Sequence, residues 1–153
     1  MAQWCALAAE GAAPPVTIPL EGDSMRPLIR RGVDPVTIVP ISRPLQKGDV
    51  VLFTLGGRYI VHRVWHLKPG LVQTYGDNCL NPEPWFPVEQ VLGLAVKFSR
   101  NGRVIRLDTP GARAWGMAWM AVWPLRVCYK RLRAFAGRCY RKVFPRKNGK
   151  AVN

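Results

Sequence analysis

The sequence predicts a mainly β fold: a single antiparallel sheet, coiled or partly closed, with a basic helical segment after it. Three features predict it. From residue 16 onward, six or seven short runs rich in β-branched and aromatic residues follow one another through short links. Two of the links, Gly56-Gly57 and Asn101-Gly102, are residue pairs that close antiparallel hairpins. Helical periodicity is almost absent before Pro110 and then dominates.

Residues 1–15, rich in Ala and Pro, read as a flexible leader, residues 16–110 as the folded domain, and 111–153 as a tail. VTIPL (16–20) is the first strand-like run. In the GDSMRPLIRRG that follows, Met25, Leu28 and Ile29 lie at helical spacing, so one turn should pack against the sheet. PVTIVP (35–40) and GDVVLFTL (48–55) are β-branched runs. RYIVHRVWHL (58–67) returns across Gly56-Gly57; alternation puts Tyr59, Val61, Arg63 and Trp65 on one face and Ile60, His62, Val64 and His66 on the other. LVQTYGD (71–77) adds a strand. NPEPWFPVEQ (81–90) should be irregular, because its three prolines remove ladder donors. VLGLAVKFS and RVIRL then form a hairpin around Asn101-Gly102.

The 153 residues have room for one domain and an extension. Net charge is +14, and residues 109–153, with 11 basic and no acidic side chains, carry +11 of it. In that tail Trp115, Trp119 and Trp123 share a helical face, and Cys128, Leu132, Phe135, Cys139 and Val143 continue an apolar stripe past a break at Pro124. Arg126, Lys130, Arg131, Arg133, Arg138, Arg141 and Lys142 fill the remainder. Such a segment suits an anionic membrane surface, contacted through 111–147; the competing reading packs the Trp stripe onto the sheet. Nucleic acid ranks third, since charge is there without a recognition motif. The first 15 residues lack the basic start and unbroken apolar run of a signal peptide, and no stretch reaches the ~20 apolar residues of a membrane span. The chain is therefore expected at a membrane periphery or in the cytoplasm. Four scattered cysteines and two histidines make neither a zinc pattern nor a disulfide framework, so no metal is expected.

Chemistry centres on Gly-Asp-Ser-Met-Arg-Pro (22–27). A serine hydroxyl needs a positioned His or Lys to take its proton. His62, in mid-strand between Ile60 and Val64, would be held rigidly and partly desolvated, which favours the neutral base form. Each has a purely structural alternative: Ser24 as N-cap of MRPLI, His62 as a satisfied core residue.

In order along the chain, GDSMRPLI, KGDVVLF, YIVHRV, YGDN and VLGLAV resemble the S24/S26 peptidases, that is, type I signal peptidases and the self-cleaving domains of LexA-like repressors. The resemblance spans residues 16–107. It implies the coiled β fold of that family, Ser24 as nucleophile and, as in the ER-type branch, His62 as base; no lysine stands between Lys47 and Lys68 to serve the lysine-dependent branch. It implies an acid to orient the histidine, Asp77 by motif or Glu83 by offset, with Asp77 slightly ahead. A hydroxyl residue found in many relatives two positions before the serine is here Gly22, so the oxyanion would rest on backbone N–H groups of the glycine-permitted Gly22-Asp23-Ser24 turn, chiefly that of Ser24. Val33 reads as an insertion in a turn, and Met25 as part of the substrate cleft wall. The substrate is expected to be an extended peptide, possibly a signal or leader peptide, added as a strand, and no cofactor is implied. The alternatives are a cytosolic LexA-like self-processing protein and an inactive peptide-binding module.

Overall fold

The computed structural model describes residues 2–9, 13–122, 124–125, 127–129, 131–133 and 135–136. Residues 1–120 form one compact unit and 121–153 a second. The strands of the first unit are β1 (Val16–Ile18), β2 (Val36–Val39), β3 (Val50–Leu55), β4 (Arg58–Lys68), β5 (Leu71–Tyr75), β6 (Phe86–Pro87), β7 (Val91–Arg100) and β8 (Arg103–Arg106). They lie in the order β1-β2-β7-β3-β4-β5-β6, with β8 paired to β7, and every neighbouring pair is antiparallel. The sheet curls into a half-barrel.

Both hairpins close where the sequence predicts. Gly56 and Gly57 have φ of 57° and 74° between the paired Leu55 and Arg58; Asn101 and Gly102 have φ of 51° and 76° between Arg100 and Arg103. Positive φ at both central residues matches the turn to the twist of the strands. The apolar runs make sense because the sheet is covered on both faces. In β3, Val50 and Leu52 join a core with Met25, Ile29, Val36, Ile38 and Phe98, while Val51 and Phe53 join another with Val64, Val72, Phe86 and Leu94. A strand buried on both sides needs no polar alternation.

Between β1 and β2 the chain makes the single turn expected of MRPLI, with the Ile29 N–H donating to Met25 O at 2.9 Å. Val33 is absorbed in the next turn, 58% exposed, and β2 follows undisturbed. Residues 81–90, expected to be irregular, contain the short β6 and a 3₁₀ turn, Val88–Gln90. β6 pairs only with β5, an edge position where the missing Pro87 donor leaves no ladder bond unmade.

A helix, α1 (Ala2–Ala9), occupies part of the segment expected as a flexible leader; its Trp4 packs against the first core and donates from Nε1 to Pro14 O at 2.7 Å. α2 (Pro110–Ala121) begins as its sequence dictates, with Thr109 Oγ1 accepting from the Ala112 N–H at 3.1 Å and Pro110 in the first turn. In the second unit the described residues 124–125, 127–129, 131–133 and 135–136 are helical, and Leu125, Tyr129, Leu132 and Phe135 are exposed. The expectations on Trp123, Arg126, Lys130, Arg138, Cys139, Arg141, Lys142 and Val143 lie outside the described residues. No helix among the described residues is long and apolar enough to cross a membrane.

Candidate active site

Ser24 opens the turn after β1, half-buried at the wall of a groove of about 710 Å³. One side of the groove is the chain from Ile18 to Gly22; the other is Gly57 of the hairpin turn and the start of β4, Arg58 to Val61. The pairing of β4 explains why this wall is open. Residues 58–63 pair with β3, but β5 pairs only with residues 63–68, so the opposite edge of 58–62 has no strand partner among the described residues. β1 likewise pairs only with β2. Two strand edges therefore border the groove beside Ser24.

His62 sits opposite Val51 in β4 and is 4% exposed. Phe53 lies on one side, its ring centroid 6.0 Å from the imidazole. Burial pushes the imidazole from its usual 6.5 down to about 4, so the ring is neutral near pH 7. Its two nitrogens face different groups. Nδ1 is 3.4 Å from Glu83 Oε1, without the alignment of a hydrogen bond, and Nε2 faces Gly76 and the Ser24 turn. A Cβ built on Gly76 would stand 2.8 Å from His62 Nε2, 3.0 Å from the Ser24 carbonyl oxygen and 2.5 Å from Cys79 Sγ. Only glycine lets these groups converge. Ser24 Oγ and His62 are not hydrogen-bonded in this conformation, and such contacts commonly tighten only around substrate.

Glu83 reaches Nδ1 because its backbone is tied to β5: its N–H donates to Thr74 O at 2.9 Å and its carbonyl accepts from Gln73 Nε2 at 3.1 Å. Asp77, slightly preferred from the motif, is engaged by another residue. Both its oxygens accept from Arg63, at 2.9 Å from Nε and 2.8 Å from Nη2, and Arg63 Nη1 donates to Gly48 O at 2.9 Å. Arg63 and Asp77 are each 1% exposed. α2 covers this pair: a Cβ on Gly116 would lie 2.5 Å from Arg63 Cζ, and Trp119 Nε1 donates to Asp77 O at 3.1 Å. The face that alternation gives Arg63 is thus an interior, closed by α2.

The remaining expected residues divide. Gly22 lines the groove, but its φ is not left-handed, so its turn does not require glycine. Asp23 is exposed; its side chain lies 3.5 Å from Arg26, and its carbonyl accepts from the Arg26 N–H at 3.2 Å. Met25, expected on the cleft wall, is 0% exposed and packs in the core beside Ile29, because the turn points it inward. Among the described residues no three His, Cys, Asp or Glu side chains converge as metal ligands do. Sequence reasoning missed Asn78, Cys79 and Trp119 at this site; for Asn78 the available signal was its place in Tyr-Gly-Asp-Asn.

No protein-family model, curated protein or solved structure matches this chain. The functional reading therefore rests on the residues themselves.

Proposed function

We propose that the chain is a serine endopeptidase of the signal-peptidase-like type, with Ser24 as nucleophile, His62 as general base and then acid, and Glu83 as the group that orients His62. One observation carries the reading: the neutral imidazole has a carboxylate at Nδ1, 3.4 Å away, and the Ser24 turn on the side of Nε2. Ser24 Oγ attacks the peptide carbonyl and His62 takes its proton. The leaving amine then receives that proton, and water, activated by the same imidazole, hydrolyses the acyl-enzyme. An extended peptide pairs with the two strand edges of the groove. The test is cleavage of an Ala-x-Ala peptide followed by mass: wild type should cleave it and Ser24→Ala should not, and equal cleavage by both sinks the proposal. Shortening of the chain itself on incubation would instead mark self-processing, and peptide binding without cleavage an inactive binding module.

Catalysis needs the neutral imidazole, so activity is lost as pH falls through the His62 pKa. Because burial lowers that pKa from 6.5 toward about 4, the acid limb of kcat/KM should fall below 6.5. A limb at 7 or above in a pH–rate profile would contradict this environment for His62.

A peripheral membrane contact by the tail is proposed beside this activity. Exposed Leu125, Tyr129, Leu132 and Phe135 share a helical face, Arg131 and Arg133 are exposed, and residues 109–153 carry no acid. Co-sedimentation with anionic but not neutral vesicles, weakened by salt, is the expected result.

A further inference from the structure

We propose that Asn78 is a positioning residue that aims the Ser24 N–H as the principal oxyanion donor; the inference rests on the peptidase reading above. The argument begins with what holds Asn78. Its neighbour Asp77 is fixed at the carboxylate by Arg63 and at the carbonyl by Trp119 Nε1, so Asn78 projects from a clamped segment. From there it makes two hydrogen bonds to the nucleophile turn. Its N–H donates to Ser24 O at 2.7 Å, and its side-chain Nδ2 donates to Asp23 O at 3.2 Å.

The second bond matters most. The Asp23–Ser24 peptide is trans and planar, so its C=O and N–H point in opposite directions. Holding the Asp23 carbonyl, with the Arg26 N–H as second donor at 3.2 Å, therefore fixes the direction of the Ser24 N–H. That N–H makes no hydrogen bond among the described residues. Residue 22 brings no side chain beside it, and even a Cβ there would stand in ordinary contact, 4.0 Å from Ser24 N and 3.9 Å from Ser24 Oγ. When Oγ bonds to the substrate carbonyl carbon, the π pair moves onto the carbonyl oxygen, and a donor already aimed there stabilises the charge without reorganising. Asn78 thus supplies the orientation that no side chain at position 22 supplies.

The side chain of Asn78 is exposed, so its substitution should leave the fold intact. Asn78→Asp keeps the shape and backbone donor but replaces the amide donor with an acceptor; Asn78→Ala removes it. Each is compared with wild type and Ser24→Ala on an Ala-x-Ala peptide and on the matching peptide aldehyde, whose adduct with serine carries the oxyanion. Thermal melts are run beside the kinetics. Expected is a fall of about tenfold in kcat and equally in kcat/KM, with KM unchanged, and a matching rise in the aldehyde Ki. An unchanged kcat, a rise confined to KM, or a loss that tracks the folded fraction overturns the role of Asn78 while leaving the peptidase reading intact. A wild type no more active than Ser24→Ala overturns that reading, and this one with it.

Discussion

Replacing His62 by alanine should lower kcat for peptide cleavage by roughly ten-thousandfold to a millionfold, the loss seen when a serine hydrolase loses its base. No lysine stands between Lys47 and Lys68, so His62 is the one basic side chain that the motif position offers. Glu83→Gln should cost less, between about a hundredfold and ten-thousandfold, because the imidazole is already held by packing against Phe53 and in the strand. In the proposed mechanism the Glu83 carboxylate would stabilise the imidazolium that forms in the transition state, so its loss should also move the acid limb downward. Steady-state kinetics on the three proteins decide the matter. Should Asp77→Asn shift the limb while Glu83→Gln does not, the orienting acid is Asp77.

The largest effect on stability is expected at the Arg63–Asp77 pair. Arg63→Met leaves the Asp77 carboxylate buried without its bidentate partner, a loss of roughly 3–5 kcal/mol. For a chain of this length that corresponds to a fall of about 10 °C in Tm. Removing both charges, as Arg63→Met with Asp77→Leu, should recover much of it, since no uncompensated charge remains. Gly116→Ala should destabilise by a different route: its methyl would meet the guanidinium, which three hydrogen bonds prevent from yielding. An Arg63→Met protein that melts with wild type would refute the account. The same network leads to Trp119, so melting data and activity data for Arg63 variants have to be read together.

Much of this was legible in the sequence, for identifiable reasons. Gly56-Gly57 and Asn101-Gly102 mark their hairpins because few other pairs adopt positive φ twice in succession. Ser24 and His62 stood out because their motifs occur together and in order. Long-range choices were not legible. Asp77 and Glu83 are chemically alike, and which one reaches His62 depends on how residue 83 is tied to Thr74 and Gln73, a register that no local pattern encodes. Alternation placed Arg63 on one face of β4 but could not say that α2 covers that face. Met25 looked like a wall residue because it adjoins the serine, yet its side chain serves the core. Trp119 belonged to a stripe equally suited to lipid or to packing; its indole donates to Asp77 O.

The split pairing of β4 has one further consequence. An unpaired strand edge at the rim of a sheet invites another sheet to add to it, the usual route to aggregation. Here the edge of 58–62 that β5 does not reach lies along a groove whose facing wall is the chain from Ile18 to Gly22. Strand edges bordering a groove favour an extended chain, which a folded domain does not present. On the proposed peptidase reading, such a recess would select by conformation before any side chain is read, taking unstructured segments and sparing folded neighbours.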